Sequence, residues 1–573
     1  MADVFDSSDS DGEFKGFTVE ECTEAEERNV RRQLQIMREI ESDISLSDIS
    51  DDESDFANMS DESEDEDDQP LAEIARWSVN LRQMNIKDFT GPVPGPTTVM
   101  DSSKTEMDFF HLLFPSNYYE EIAQQTNAYA ERAIDVNPNP AWYPTNGEEI
   151  KAYLGVAIVM GILPAPAQDM YWCKDKLFHP SCIEGKFSRT RFETLQRYFH
   201  VADTTSNPAR ENPAHDKLAH VRPLLELLRT NFKQEYHPHK EVSIDEAMVG
   251  FSGRLGFKQY VPLKPTKRGI KVWVRADSFN GYINDFQVYT GRHNNVAEKD
   301  LGSRVVLDLA RPIIGLGHHI YCDSFFTSPD LFLQLWREDT YACGTVRANR
   351  KGLPKDIGTT KLKEQGRNVT KQKGSMRVTV WRDKKNITIL HTNGGGEDTS
   401  VNRKQKDGST KDVPCPEAVK LYNQYMNGVD HADQLRSTYH TARKALKWWK
   451  YLFFFLFDVA IVNSYLLMRE SPQHSLKTKT NRTRQRTQME FRMKLAHQML
   501  GAFMSKRKRQ SEVQIPAQPN HTHWPTVMKK KTCKHCATKK IRSEPGYGCE
   551  QCNVNLCVKC FKPYHVSKFP EMS

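Results

Sequence analysis

The hydrophobic period of this chain changes abruptly near residue 240, and that change limits what it can fold into more than any other feature. Upstream, "TEMDFFHLLFPSNYYEEIAQQTNAYAERAI", "NGEEIKAYLGVAIVMGIL", "SRTRFETLQRYFHV" and "AHVRPLLELLRTNFKQEY" space apolar residues at i, i+3 and i+4, the repeat of helices with one buried face. Downstream, "KEVSIDEAMVGF", "GIKVWVRADS" and "YINDFQVYTG" alternate with period two between turn residues, the pattern of strands. "GSRVVLDLARPIIG" then reads as helix, "HHIYCDSFF" as strand, "SPDLFLQLWRE" as helix and "TYACGTVRA" as strand. A helical region followed by three meandering strands, then helix, strand, helix and strand, predicts an α/β unit built on a mixed sheet.

Residues 349–420 are rich in Lys, Gly and Thr, with short runs such as "MRVTVWRD" and "NITILHT", and predict a β-rich insertion. "EAVKLYNQYMNGVDHADQL" returns to helix, and 440–503 are helical again. Within them "YLFFFLFDVAIVNSYLLM" is barely long enough to span a bilayer and is interrupted by Asp458, Asn463 and Ser464, so it reads as a helix buried inside a large protein, with no membrane partner expected. The opening "MADVFDSSDSDGEF" lacks the basic start and apolar core of a signal peptide.

Charge divides as sharply as period does. Residues 1–70 carry a net −20 and the remainder +26. A body that basic calls for a polyanionic partner, nucleic acid first of all. The acidic, Ser-rich start ("DSSDSDGE", "SDISDDESD", "SDESEDEDDQP") has too little apolar surface to fold and is expected to be disordered, as a solubilising tail or as a competitor for the basic surface. Six of the twelve cysteines stand singly (Cys22, Cys173, Cys182, Cys322, Cys343, Cys415) and six crowd the last 41 residues, a distribution that suits a reducing compartment and metal binding rather than a disulfide framework.

Two carboxylates end apolar runs in the α/β unit, Asp245 after "VSI" and Asp323 after "IYC", and the carboxyl ends of neighbouring strands are where such sheets present sites. "YMNGVDHADQL" places Asp430 and Asp433 one helical turn apart, where they would repel without a counter-ion. Either pair alone reads as a cap or a solvated face. Converged, the four require a hard divalent cation, which takes oxygen ligands, and a pair of such ions serves in-line phosphoryl displacement. That joint placement is the arrangement of a ribonuclease-H-like fold.

"SIDEAMVGFSGRLGFKQYVPLKPTKRGIKVWV", "YCDSFFTSPDLF", "CGTVRANRKGLP", "YNQYMNGVDHADQL" and "IVNSY" together resemble the piggyBac transposase family, from about residue 104 to the end of the chain. The resemblance implies that Asp245, Asp323, Asp430 and Asp433 form a catalytic set binding Mg²⁺ or Mn²⁺, with Asp433 either a further ligand or the carboxylate that holds Asp430. It also implies cut-and-paste chemistry. Water nicks the transposon end, the freed 3′-hydroxyl forms a hairpin with the opposite strand, the hairpin is reopened, and the end is joined into a TTAA target. A homodimer acting on double-stranded DNA in the nucleus is implied as well, with no small-molecule substrate. The alternative is a domesticated DNA- or chromatin-binding protein that keeps the fold without cutting.

"GRLGFKQYVPLKPTKRGIK" sets Arg254, Lys258, Lys264, Lys267, Arg268 and Lys271 beside the first catalytic strand among Phe257 and Tyr260, as phosphate contacts or as a solvated loop. Trp448 or Trp449 in "RKALKWWKYL" is a candidate to stack on a base. At the C-terminus, Cys533, Cys536, Cys549, Cys552, Cys557, Cys560 and His565 follow the pattern C-x2-C-x12-C-x2-C-x4-C-x2-C-x4-H, seven ligands of the kind that hold zinc. Two closed Zn²⁺ sites need eight, and His523 is the best candidate ahead of His521 and His535. The spacing fits a RING-type ligase poorly, and the resemblance implies that this module binds terminal repeats. "SKRKRQ" at 505–510 reads as a nuclear-import or DNA-contact patch.

The expected architecture is thus multidomain α+β and α/β: an acidic disordered region (1–103), a helical dimerisation and DNA-binding domain (104–240 and 441–510), a ribonuclease-H-like core (241–348 and 421–440) interrupted by the β-rich insertion (349–420), and a linker with the cysteine-rich module (511–573).

Overall fold

The structure, a computed structural model, describes residues 76–504 and 523–568 apart from 174, 176–179, 184, 263, 265, 292–297, 395–396, 405–407 and 478–482. Of the region 1–103 expected to be disordered, residues 1–75 lie outside the described residues, as do the basic run at 505–510, the linker to 522 and with it His521. Residues 76–103 are instead tied into the first unit, where Trp77 Nε1 donates to the Gly352 carbonyl at 3.0 Å and the Lys87 amide to the Tyr341 hydroxyl at 2.7 Å. The chain divides into two compact units at the 505/506 boundary.

In the first unit, helices α1 (Glu106–Leu113), α2 (Tyr118–Val136), α3 (Gly147–Ile162), α4 (Arg189–Tyr198) and α5 (Arg222–Gln234) precede the sheet. Thr105, Asn146 and Ser188 cap α1, α3 and α4 by accepting a first-turn N–H on the side-chain oxygen, so each start is fixed locally. The strands follow: β1 (Glu241–Gly250), β2 (Gln259–Tyr260), β3 (Arg268–Asp277) and β4 (Ile283–Val288), then α6 (Leu301–Ala310), β5 (His319–Cys322), α7 (Pro329–Arg337) and β6 (Tyr341–Thr345).

β1 pairs antiparallel with β3 and parallel with β5, β5 is parallel to β6, and β4 lies antiparallel on β3. Leaving out the two-residue β2, the order across these strands is therefore β4-β3-β1-β5-β6. The segment 349–420 does not stand apart from this sheet. Its strands β7 (Asn368–Lys373), β8 (Met376–Arg382) and β9 (Asn386–His391) extend it to nine strands, because β9 pairs antiparallel with the edge that β6 would otherwise leave open. β10 (Asp398–Lys404) and β11 (Thr410–Pro416) form a separate hairpin.

The chain then returns through α8 (Glu417–Tyr425) and α9 (Gly428–Thr438) to α10 (Trp448–Glu470) and α11 (Gln488–Leu500). α10 is apolar on every side and buried along nearly its whole length, as such a helix must be in a folded core. Its long apolar window is 94% buried inside the protein. One face of the sheet, with Ala247, Val249, Val272 and Val274, shares a core with α10 and the N-terminal helices. The other, with Val242, Ile244 and Trp273, packs on α6 and α7. Both faces of the central strands are covered, which is why they read as nearly continuous apolar runs.

The second unit is small: β12 (Pro525–Val527), α12 (Lys534–Thr538), β13 (Tyr547–Cys549), β14 (Val554–Asn555) and α13 (Val558–Lys568). Its core is the cysteines themselves with Leu556.

Candidate functional site

β5 accompanies β1 only as far as the Ile244–Cys322 pair. Beyond it β1 runs on with that edge released, and Asp245 and Glu246 are its first two residues there. Successive strand side chains leave on opposite faces, but around a released edge both can reach one point, and Asp323 follows directly on the end of β5. Carboxylate oxygens of Asp245, Glu246 and Asp323 all lie within 4.8 Å of one another. The Glu246 amide donates to Asp245 Oδ1 at 2.7 Å, and the Phe325 amide to Asp323 Oδ1 at 3.0 Å. The Thr327 hydroxyl donates to the Asp323 carbonyl at 2.8 Å, fixing the turn in which Asp323 sits.

Two lysines of the loop and strand after β1 turn in toward this cluster. Lys264 Nζ lies 3.7 Å from both Asp245 Oδ2 and Glu246 Oε1, and Lys271 Nζ 3.6 Å from Glu246 Oε2. Burial pushes the Asp245 carboxyl well above the usual range; Lys264 opposes this, while the charges of Glu246, Asp323 and Asp430 add to it. Burial, then the Glu246 charge, raises Asp323 to about 6. Burial would raise Glu246 too, but Lys271 and Lys264 outweigh it and hold that carboxyl below its ordinary value. Three crowded carboxylates, two of them reluctant to ionise, form a donor set of oxygens alone, which fits a hard divalent cation such as Mg²⁺ or Mn²⁺.

Asp430 and Asp433 both act on Lys264 but differ in their other partners. Gly428 brings α9 hard onto the sheet: a Cβ there would stand 2.5 Å from Ser243 Oγ and 2.9 Å from the Asp277 carbonyl oxygen. The Val429 amide donates to Ser243 Oγ at 3.1 Å. Asp430, at the start of α9, keeps part of its surface in solvent, yet burial of its carboxyl raises it, with Lys264 pulling the other way and Asp433 and Glu246 adding to the rise. It lies outside the group within 4.8 Å. Asp433 is engaged by Arg436 at 3.2 Å, three residues on.

The basic run splits likewise. Arg254, Lys267 and Arg268 are exposed, and Lys258 donates to the Gly253 carbonyl at 2.9 Å, whereas Lys264 and Lys271 belong to the carboxylate cluster. Trp449 is buried and stacked on His220, with ring centroids 5.9 Å apart, out of reach of any base. Trp448 is half-buried, edge-on to Phe257 at 5.3 Å. Glu246 is the site residue that the sequence reading passed over. The signal for it was the charge of its neighbours, two lysines facing one aspartate in "SIDE…LKPTKRGIK".

In the second unit the eight expected ligands fall into two interleaved sets that could each hold a metal ion. Cys533 and Cys536 join Cys557 and Cys560, while His523 joins Cys549, Cys552 and His565. Sulfur separations of 3.9 Å (Cys533–Cys557), 3.7 Å (Cys536–Cys557) and 3.4 Å (Cys536–Cys560) approach the roughly 3.8 Å edge of a tetrahedron with 2.3 Å metal–sulfur bonds. His523 Nδ1 is 3.3 Å from Cys549 Sγ, and Cys552 Sγ is 3.6 Å from His565 Nε2. His565 Nδ1 sits 2.7 Å from the Phe561 carbonyl and donates to it, which turns Nε2 toward Cys552. His535 takes part in neither set.

A family model described as Transposase IS4 matches residues 105–465. The human PiggyBac transposable element-derived protein 3 is 26% identical over 517 residues, 86% of this chain and 81% of that protein. The human PiggyBac transposable element-derived protein 5 is 27% identical over 422 residues, 70% of this chain and 78% of that one. Among solved structures, a piggyBac transposase in a synaptic complex with hairpin DNA aligns with a TM-score of 0.61 at 26% identity, covering 82% of this chain and all of the other.

Proposed function

Because the chain belongs to the piggyBac-type transposases of the Transposase IS4 family, we propose that it is a DNA transposase that cleaves and joins strands by metal-dependent phosphoryl transfer. The observation that carries this reading is the convergence of Asp245, Glu246 and Asp323 at the released edge of β1. The strand order β4-β3-β1-β5-β6, with β3 alone among the central three antiparallel to β1, supports a ribonuclease-H-like core. A Mg²⁺ or Mn²⁺ ion held by these carboxylates would stabilise charge on the phosphoryl oxygens and lower the pKa of the attacking water. Asp245 and Asp323 offer ligand oxygens fixed by backbone amides; Asp430 approaches from α9 on the solvent side. Lys264 and Lys271 offset the mutual repulsion of the carboxylates, and the exposed Arg254, Lys267 and Arg268 supply phosphate contacts.

The proposal extends to hairpin ends, TTAA targets, recognition of terminal repeats by the cysteine-rich unit with two Zn²⁺, a homodimer and a nuclear site of action. Excision from a plasmid bearing matched ends tests the reading. The wild-type chain excises and Asp323→Ala does not; equal excision from both sinks the catalytic assignment. The second reading, a DNA-binding protein that no longer cuts, is favoured by the "transposable element-derived" names of the human relatives, and excision from neither protein would support it.

A further inference from the structure

Asp458 and Arg492 make the most deeply buried ion pair among the described residues, 3.2 Å apart with both side chains no more than 1% exposed. Such a pair contributes little net stability, since its Coulombic gain is largely cancelled by desolvation. Its position gives it a different use. Arg492 Nη1 also donates to the Tyr439 carbonyl at 2.9 Å, and Asp458 Oδ2 accepts the Thr441 amide at 2.9 Å. Tyr439 is the residue at which α9 ends. One helical turn before Arg492 on α11, Gln488 donates to the Leu435 carbonyl at 2.8 Å. Two side chains at i and i+4 of α11 thus cap terminal carbonyls of α9, and the one nearer the tip is a cation, the sign that end of a helix favours.

The rest of α9 is held from the same side. Arg436, paired with Asp433, lies over the Phe455 ring of α10 at 4.7 Å, one turn before Asp458. The loop after α9 presses on α3 at Gly161, where a Cβ would be 2.9 Å from the carbonyl oxygens of Tyr439 and His440. With Gly428 seated on β1, α9 is fixed at both ends. Its first end carries Asp430 toward the carboxylate cluster, and its last end is tied to α11.

We propose that Asp458, Arg492 and Gln488 are positioning residues for the metal centre, setting how far α9 delivers Asp430 toward Asp245 and Asp323. The inference rests on the metal-dependent reading above and extends it from the sheet edge into the helical core.

Mn²⁺ titration of the full-length chain, with free ion counted by electron paramagnetic resonance, tests it. Asp245→Asn reports on the reading itself: if it leaves Mn²⁺ binding unchanged, the metal centre fails and the positioning inference with it. Given a loss in Asp245→Asn, Arg492→Met is expected to bind Mn²⁺ about tenfold more weakly, the scale seen for groups that orient ligands. Gln488→Ala, which disturbs no buried charge and serves if Arg492→Met does not fold, is expected to shift binding several-fold. Arg492→Lys keeps the cation and recovers most of the affinity. Leu195→Ala, a core truncation on α4, lowers the melting temperature without moving Mn²⁺ binding. Wild-type affinity in Arg492→Met or Gln488→Ala, or an equal weakening in Leu195→Ala, overturns the proposal.

Discussion

The molecule gathers two kinds of side-chain cluster that could hold a metal ion, and they are built on opposite plans. The cysteine-rich unit gathers two sets of four soft or borderline side chains, the candidate ligand atoms of each set within 4.8 Å of one another, and its cysteines make up most of its core. The carboxylate site gathers three oxygen donors at a strand edge, with two lysines balancing them and a fourth carboxylate on the solvent side. A closed soft site has no position left for a substrate and serves folding; an open hard site keeps positions for phosphate and serves chemistry. The first unit has its own extensive apolar core, so its fold should not depend on metal, whereas the second should.

The largest effect that tests this contrast is chelation. Structural zinc supplies about 10–16 kcal/mol to small domains, so a soft-metal chelator should leave residues 523–568 open to proteolysis while the first unit, which ends at Ser505, keeps its melting transition. Loss of both together would break the comparison. Next is Asp245→Asn, expected to reduce excision roughly 10²–10³-fold. Its melting temperature should be unchanged or higher, because an aspartate whose carboxyl is raised by burial is costly to ionise at neutral pH.

Gly428→Ala comes third. The methyl group has no room against Ser243 and Asp277, so overpacking should destabilise the fold by about 1–3 kcal/mol and reduce excision by displacing α9. Smaller again is a pH effect. With Asp323 at about 6, protons compete with the ion below that value, and Mn²⁺ affinity should fall from pH 7 to 5.5 by no more than about tenfold per unit. In the metal-free chain the sign is opposite for stability: the folded state holds that proton more tightly than the unfolded one, so stability falls as pH rises from about 4 to 6. The smallest effect is none at all, with His535→Ala retaining the wild-type zinc content.

The sequence was most legible where spacing is local. Paired cysteines announce ligands, and the apolar runs before Asp245 and Asp323 announce strand ends. What spacing cannot convey is which distant pairs share an ion, and the interleaving of the first and third cysteine pairs appears only when β13 and α13 fold back. Glu246 was hidden by period two itself, which sends neighbours to opposite faces unless an edge is released. Asp430 and Asp433, one helical turn apart, both act on Lys264, and what their spacing does not reveal is that Asp433 is also paired with Arg436 at i+3. The strands at 376–391 could be read as strands, while Asn368–Lys373 was not, and nothing in their pattern names β6 as the edge they extend.

The most direct test of the metal centre exchanges its ligand chemistry. Asp245→Cys presents a thiolate where a hard ion expects oxygen, so DNA cleavage by the purified full-length variant should be lost with Mg²⁺ and regained in part with Mn²⁺, while Asp433→Cys, whose carboxylate faces Arg436, should not show that metal switch. Cleavage by Asp245→Cys in Mg²⁺ at the wild-type rate would contradict the account.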